Sequence, residues 1–579
     1  MRWIFFFSIL SLMTCHRPSI EKRPNVVLIL TDDQGWGDLS LHGNELLHTP
    51  HLDQLAKDGA QFERFYVSPV CAPTRASMLT GRYHLRTGTS WVTHRKEVMR
   101  TEEKTIAEYL KAAGYATALF GKWHNGAQYP NDPNGQGFDE FLGFTSGHWN
   151  NYFNTELQHN KTSVQTEGYL SDVLTTRSMQ FIANHQDAPF FCYLSLNTPH
   201  SPFQVPDAYF DKFKAKGLND KDACVYGMVE NIDDNIGRLL AHLDQLGISE
   251  NTIVLFLTDN GPNGHRYNGG MKGIKAQVDE GGVRVPCFIR WPEKIAAGTH
   301  IQALSAHIDL LPTLMDMLDI EAETDRVIDG RSLWPLLRGE QLNWEERPIF
   351  SIQANGALRS FPSSMRTDQY RIVWNHQNEV SLYDMLSDPE QKQDIAAQHP
   401  SLIDSFSRIH QRWFSDVTSQ GIQPIPIPVG YETAPIVYCH APDARLSKNL
   451  QFKGGMGWAN DWILNWSERQ DTASWMLDVR QAGIYQMSIG YNLKENSKPP
   501  SIHLFTDSAS LKTPLERVFW SDYFPSPDRV KRGEVYEKKW AEYDIGVLSL
   551  EDGQQAIHLQ ALIADSTALE VKYLKLEKQ

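Results

Sequence analysis

The sequence predicts an α/β domain on a mainly parallel central sheet, followed by a small α+β subdomain and an appended all-β sandwich. Three observations carry this reading. Between residues 24 and 345, apolar strand-like runs alternate with helical periods, as a layered α/β domain requires. Asn25–Leu30 is a continuous apolar run, the pattern of a parallel strand covered on both faces. After residue 435 the pattern changes to short alternating segments separated by Gly, Asp, Ser and Pro turns. A chain of 579 residues is also too long for one core.

The elements follow in order. Residues 1–15 begin with a positive charge at Arg2 and continue as a short apolar run, the form of an export signal. That run is too short to stay as a membrane-spanning helix. Leu12-Met13-Thr14-Cys15 resembles a lipobox, with Cys15 as the residue to be lipidated. The expected location is therefore the periplasm or cell surface, with the membrane reached only through that lipid. Residues 24–345 form the α/β domain. Helix Lys104–Ala113 leads to strand Ala116–Phe120, Tyr169–His185 to Phe190–Leu196, and Val225–Leu246 to Thr252–Leu257; Ile308–Leu318 is a further helix. Residues 346–420 carry strands Ile349–Gln353, Tyr370–Trp374 and Ser381–Asp384, then helix Ser401–Phe414. Residues 421–435 are proline-rich and read as a semi-rigid linker. Residues 436–579 are the sandwich, with no internal repeat.

Composition excludes several classes. A net charge of −15 argues against nucleic acid as a partner. Six cysteines occur without a C-x-x-C pair, which disfavours a zinc ribbon or a thioredoxin-type site. Cys192 and Cys287 sit in apolar runs and read as buried thiols. The 16 Trp and 21 Tyr suit sugar stacking, but core filling is the expected use of most.

Ligands of open parallel sheets bind at the carboxyl ends of strands. Four of the expected strands end in chemically useful residues. These are Asp32-Asp33, Gly121-Lys122-Trp123-His124, Thr198-Pro199-His200 and Asp259-Asn260. Asp32, Asp33, Asp259 and Asn260 are hard oxygen ligands suited to Ca²⁺ or Mg²⁺. Two adjacent aspartates at the end of a buried strand repel unless a cation neutralises them. Lys122, His124 and His200 add positive charge and proton-transfer capacity.

Cys71-Ala72-Pro73-Thr74-Arg75, followed by Leu79-Thr80-Gly81-Arg82, resembles the modification motif of the type I sulfatases, and the resemblance extends over residues 24–418. It implies an alkaline-phosphatase-like fold and oxidation of Cys71 to formylglycine (3-oxoalanine) by a formylglycine-generating or anaerobic sulfatase-maturating enzyme. It also implies one divalent cation, Ca²⁺ ahead of Mg²⁺, held by Asp32, Asp33, Asp259, Asn260 and modified Cys71. In the implied mechanism hydrated residue 71 attacks sulfur and Arg75 helps hold the hydrate. Lys122 and Lys275 clamp the sulfate, His200 protonates the departing alcohol, and His124 takes the proton that releases sulfate. The family spacing of five residues before Glu280-Gly281-Gly282 selects Lys275 and leaves Lys272 a flanking cation. Thr74 stands where Ser is usual, and Asp279 where an aromatic is frequent.

The substrate expected from this resemblance is a sulfated polysaccharide or oligosaccharide. With a net charge of −15, its attraction must come from a local cation cluster. Ser146–Asn151 and Gly264–Arg266 are the candidate sugar-facing loops. Two alternatives stay open from the sequence: a phosphate or phosphonate monoester hydrolase on the same scaffold, and an inactive glycan-binding surface protein.

Overall fold

The computed structural model describes residues 23–321, 325–340, 344–495, 497–562 and 568–579. The expected export segment and Cys15 lie outside the described residues.

A ten-stranded sheet organises the first domain. At its centre stand four parallel strands: β1 (Asn25–Thr31), β2 (Ala116–Lys122), β3 (Phe190–Ser195) and β4 (Thr252–Thr258). Their spatial order is β4-β1-β3-β2. Successive side chains of a strand point to opposite faces. Val26, Leu28 and Leu30 accordingly enter one apolar core, and Val27 and Ile29 the other. Helices Ile106–Ala112 and Leu310–Met317 cover the first face; Pro50–Lys57, Leu170–Asn184 and Asp220–Gln245 cover the second. Beyond β4 the sheet turns mixed, with Cys287–Arg290 antiparallel to it.

Helix boundaries follow local hydrogen bonding. Thr105 and Glu108 form a reciprocal capping box at the start of Ile106–Ala112. The long helix begins at Asp220, earlier than the expected Val225, because Asn219 Oδ1 accepts from Asp222 N. Its first turn is polar and carries no apolar period to read.

The second unit is a four-stranded antiparallel sheet with helix Pro400–Val417 packed on it. One of its strands, Ser363–Arg366, was not expected from the sequence. Its polar residues are buried because each finds a partner: Ser364 Oγ donates to Val278 O at 2.7 Å, and Arg366 lies against Tyr66 and Glu280. Glu280 also pairs with buried Arg371, at 2.7 Å from Nη2. The subdomain thereby grips the Glu-Gly-Gly turn whose loop carries Lys275.

The C-terminal unit is two packed six-stranded sheets around a core containing Trp466, Trp475, Tyr485 and Tyr491. The semi-rigid linker expected at 421–435 is in part a strand of the sandwich. Ile427–Val429 is a buried strand paired in parallel with Leu477–Val479. Pro428 lacks an N–H, which an edge strand tolerates, and Ile427 and Val429 anchor the strand in the sandwich core.

Candidate active site

Helix α1 (Cys71–Thr80) starts at Cys71 after an extended Val70, and every one of its residues is buried. Thr74 Oγ1 accepts from Ser68 N at 3.0 Å and donates to Ser68 O, so this departure from Ser is accommodated at the helix start. Arg75 lies one turn on from Cys71. Its guanidinium donates twice to Asp259 Oδ2, at 3.1 and 2.8 Å, and to Ser195 Oγ and Lys122 O. These contacts of Arg75, which was expected to help hold the hydrate of residue 71, tie α1 to the ends of β2, β3 and β4.

The carboxylates converge from two strand ends. Asp33 has φ 70°, a left-handed conformation that turns the chain sharply as it leaves β1. Asp32, Cys71 and Asp259 offer ligand atoms within 4.8 Å of one another, as do Asp32, Asp33 and His200. Asp33 N donates to Asp259 Oδ1 at 3.3 Å. Asn260 Nδ2 donates to Asp33 Oδ1 and Gly261 O, which fixes the orientation of the amide. Three buried oxygens in this group, Asp32 Oδ1, Asp33 Oδ2 and Asn260 Oδ1, have no hydrogen-bond partner among the described residues. Buried acceptors without donors are costly, and an all-oxygen set of this kind fits a hard divalent cation.

Two lysines face these acids. Lys122 Nζ lies 2.6 Å from Asp32 Oδ2, and Lys275 Nζ lies 2.5 Å from Asp33 Oδ1. Burial alone would raise the Asp32 carboxyl; Lys122, His200, Arg75 and Lys275 overcome it and hold it well below the usual range. Burial and the charge of Asp32 push Asp259 up to about 7 in spite of Arg75. Burial likewise pushes the Cys71 thiol up, against the pull of Lys122 and Lys275. Lys272 instead meets Asp279 and the Tyr383 hydroxyl.

The histidines are oriented by backbone carbonyls, which can only accept. His124, also at positive φ, has Nε2 2.8 Å from Val92 O, so Nε2 carries the proton. Its Nδ1 is buried and has no hydrogen-bond partner among the described residues. Burial and nearby Lys122 hold its pKa well below the ordinary value, so the ring is a neutral base. His200 Nδ1 lies 2.6 Å from Ser201 O, leaving Nε2 facing Asp33 Oδ2 at 3.7 Å.

Of the two sugar-facing loops expected, one reaches this site. A Cβ on Gly147 would lie 2.5 Å from His124 Nε2, and the His148 ring stacks on His200 with centroids 6.1 Å apart. Gly264–Arg266 does something else: Arg266 turns inward onto Asp38 and donates to Asp33 O, bracing the β1 turn. Sequence reading missed Ser195 and Glu534, whose carboxylate accepts from Ser201 Oγ, and placed His148 only as a member of the Ser146–Asn151 loop. Ser195 belongs to an apolar strand, and Glu534 to the distant sandwich, where no motif marks it. A cleft of about 880 Å³ at the seam with the sandwich, lined in part by Phe153, Val205, Phe524 and Arg529, holds none of the candidate catalytic side chains.

The family model described as Sulfatase matches residues 24–320, and one described as N-sulphoglucosamine sulphohydrolase, C-terminal, matches residues 275–413. The mouse (Mus musculus) N-acetylgalactosamine-6-sulfatase is 34% identical over 393 residues, covering 61% of this chain and 72% of that protein. The mouse steryl-sulfatase is 31% identical over 428 residues, covering 57% and 67%. The solved structure of Ps i-CgsB in complex with k-i-k-neocarrahexaose superposes with a TM-score of 0.64 at 29% identity, covering 68% of this chain and 93% of that one.

Proposed function

The chain belongs to the sulfatase family, and we propose that it is an exported enzyme that removes sulfate from a sulfated glycan, with residue 71 as its nucleophile. The observation that carries the chemistry is the convergence of Cys71, Asp32 and Asp259 within 4.8 Å, with Lys122 and Lys275 on the neighbouring carboxylates. The glycan reading is supported by the relatives, one named for an amino sugar sulfate and another bound to k-i-k-neocarrahexaose. Export and the Cys15 lipid rest on the N-terminal sequence.

Oxidised by a maturation enzyme and hydrated, residue 71 would supply two hydroxyls, one to attack sulfur and one whose deprotonation lets sulfate leave. Asp32, Asp33, Asp259 and Asn260 would hold one cation, which supplies Lewis-acid charge at the sulfate. Ca²⁺ is favoured over Mg²⁺ because the donors are several buried protein oxygens, whereas Mg²⁺ tends to keep its waters. Lys122 and Lys275 share their charge with the sulfate oxygens, as transfer through a dispersed anionic transition state requires. His200 delivers the proton from Nε2 to the departing sugar oxygen, since its Nδ1 proton is engaged by Ser201 O. His124 accepts the second proton at its bare Nδ1. Arg75 acts as a positioning residue that holds Asp259.

The test is mass spectrometry of the peptide bearing residue 71, from protein co-expressed with a maturation enzyme, alongside sulfate release from defined sulfated saccharides. Formylglycine at residue 71 and saccharide desulfation are expected. Undiminished activity in Cys71→Ala would overturn the mechanism.

A further inference from the structure

Between Ser510–Pro514 and Ala541–Leu550 the sandwich chain makes an excursion, and side chains between residues 526 and 537 of it meet the catalytic domain. Gln204 Nε2 donates to Asp528 Oδ1 at 2.8 Å, Arg532 Nη1 to Asn150 O at 2.6 Å, and Asn150 Nδ2 to Glu537 Oε1 at 2.7 Å. At the centre of this contact is Glu534. It is 8% exposed, and its Oε1 accepts from Ser201 Oγ, the residue after His200. Its Oε2 is buried and has no partner among the described residues; neither has Nε2 of His148, whose ring stacks on His200. Burial pushes the Glu534 carboxyl up, but His148 and His200 together hold it below the usual range. The ring of Trp458, 43% exposed, lies 3.6 Å from where a Cβ on neighbouring Gly533 would stand.

A carboxylate that has accepted one hydrogen bond on Oε1 has room for another donor on Oε2. The leaving group of a glycan sulfate presents hydroxyl donors on the carbons beside the ester. A second sulfate there offers no donor and brings a like charge.

We propose that Glu534, supplied by the C-terminal sandwich, is a specificity-determining residue whose Oε2 accepts from a free sugar hydroxyl beside the scissile ester. Sugars carrying a second sulfate or a carboxylate at that place are turned away. The inference rests on the glycan reading above.

The full-length mature enzyme and its Glu534→Ala and Glu534→Gln variants are compared by kcat/KM on three probes. These are 4-nitrophenyl sulfate, the best substrate from a panel of monosulfated mono- and disaccharides, and that saccharide with a second sulfate on the adjoining carbon. The wild type should prefer the monosulfated sugar by roughly 100-fold, because a lost donor leaves a buried acceptor unpaired. Glu534→Ala should cut this preference to below about tenfold, and lose at least about tenfold more on the saccharide than on 4-nitrophenyl sulfate. Glu534→Gln, which keeps the shape and removes the charge, should accept the disulfated sugar better than wild type does. An unchanged preference in both variants overturns the proposal, as do equal losses on the aryl ester and the saccharide. Desulfation of 4-nitrophenyl sulfate but of no saccharide would overturn the glycan reading itself, and this inference with it.

Discussion

Arg75 and Asp259 form an ion pair with no solvent exposure on either side, Nη2 standing 2.8 Å from Oδ2. The pair joins α1, which presents residue 71, to the end of β4, where Asp259 and Asn260 are two of the four proposed cation ligands. Such a pair need not stabilise the fold relative to an apolar pair, but removing one partner leaves a buried charge alone. Arg75→Ala should therefore cost about 3–5 kcal/mol. Arg75→Lys should fall between, because a lysine keeps the charge and loses the fork that reaches both Asp259 and Ser195. Urea denaturation of the three proteins measures this, and a wild-type midpoint for Arg75→Ala would refute it.

Gly147 is required by crowding rather than by its backbone angles. A Cβ there would stand 2.5 Å from His124 Nε2, the atom bonded to Val92 O. Gly147→Ala must push the imidazole or the loop. Misplacement of a reacting group on this scale costs roughly 10- to 100-fold in rate, whereas overpacking costs only about 1–3 kcal/mol of stability. A large fall in kcat/KM on 4-nitrophenyl sulfate, in a protein that still melts cooperatively, is expected. Full activity would show that the loop yields without moving His124.

The strand-end residues were legible because each follows an apolar run, and a parallel sheet brings such ends to one edge. Asp32, Lys122, His200 and Asp259 could be placed together for that reason alone. Ser363–Arg366 was illegible because its burial depends on partners far away in sequence, Val278 and Glu280 among them. The 421–435 stretch misled for the opposite reason: its prolines suggest a spacer, while the two apolar side chains flanking Pro428 place it in a sheet. Glu534 had no signal, since it lies in a turn-rich excursion and acquires meaning only through Ser201 and His200.

The unpartnered oxygens of Asp32, Asp33 and Asn260 lead to a metal-removal prediction. A ligand bound only by the folded state stabilises it, by about 2.7 kcal/mol at a hundredfold excess over Kd. Exhaustive chelation should abolish turnover and lower Tm, and Ca²⁺ should restore both at lower concentration than Mg²⁺. Asn260→Ala should raise the Ca²⁺ concentration needed by roughly tenfold or more, as loss of one ligand from a small set implies. Unaltered Tm and activity after chelation would remove the cation from this account.

His410 gives the fold a defined acid sensitivity away from the active site. Its ring stacks on Trp374 with centroids 4.1 Å apart, its Nε2 meets Ser363 Oγ at 2.9 Å, and burial holds its pKa down at about 4. The unfolded chain binds this proton near pH 6.5, so between about pH 6.5 and 4 the unfolded state carries more protons than the folded one. Stability from this group is therefore present above pH 6.5 and falls as pH drops through that window, by about 2 kcal/mol at pH 5. His84, at about 4, acts with the same sign. His410→Phe keeps the stacking surface, and Ser363 Oγ still donates to Ser360 O. The variant should lose about 2 kcal/mol less than wild type between pH 7.5 and 5. Denaturation midpoints at the two pH values measure the difference; identical losses in the two proteins would show that His410 does not titrate with unfolding.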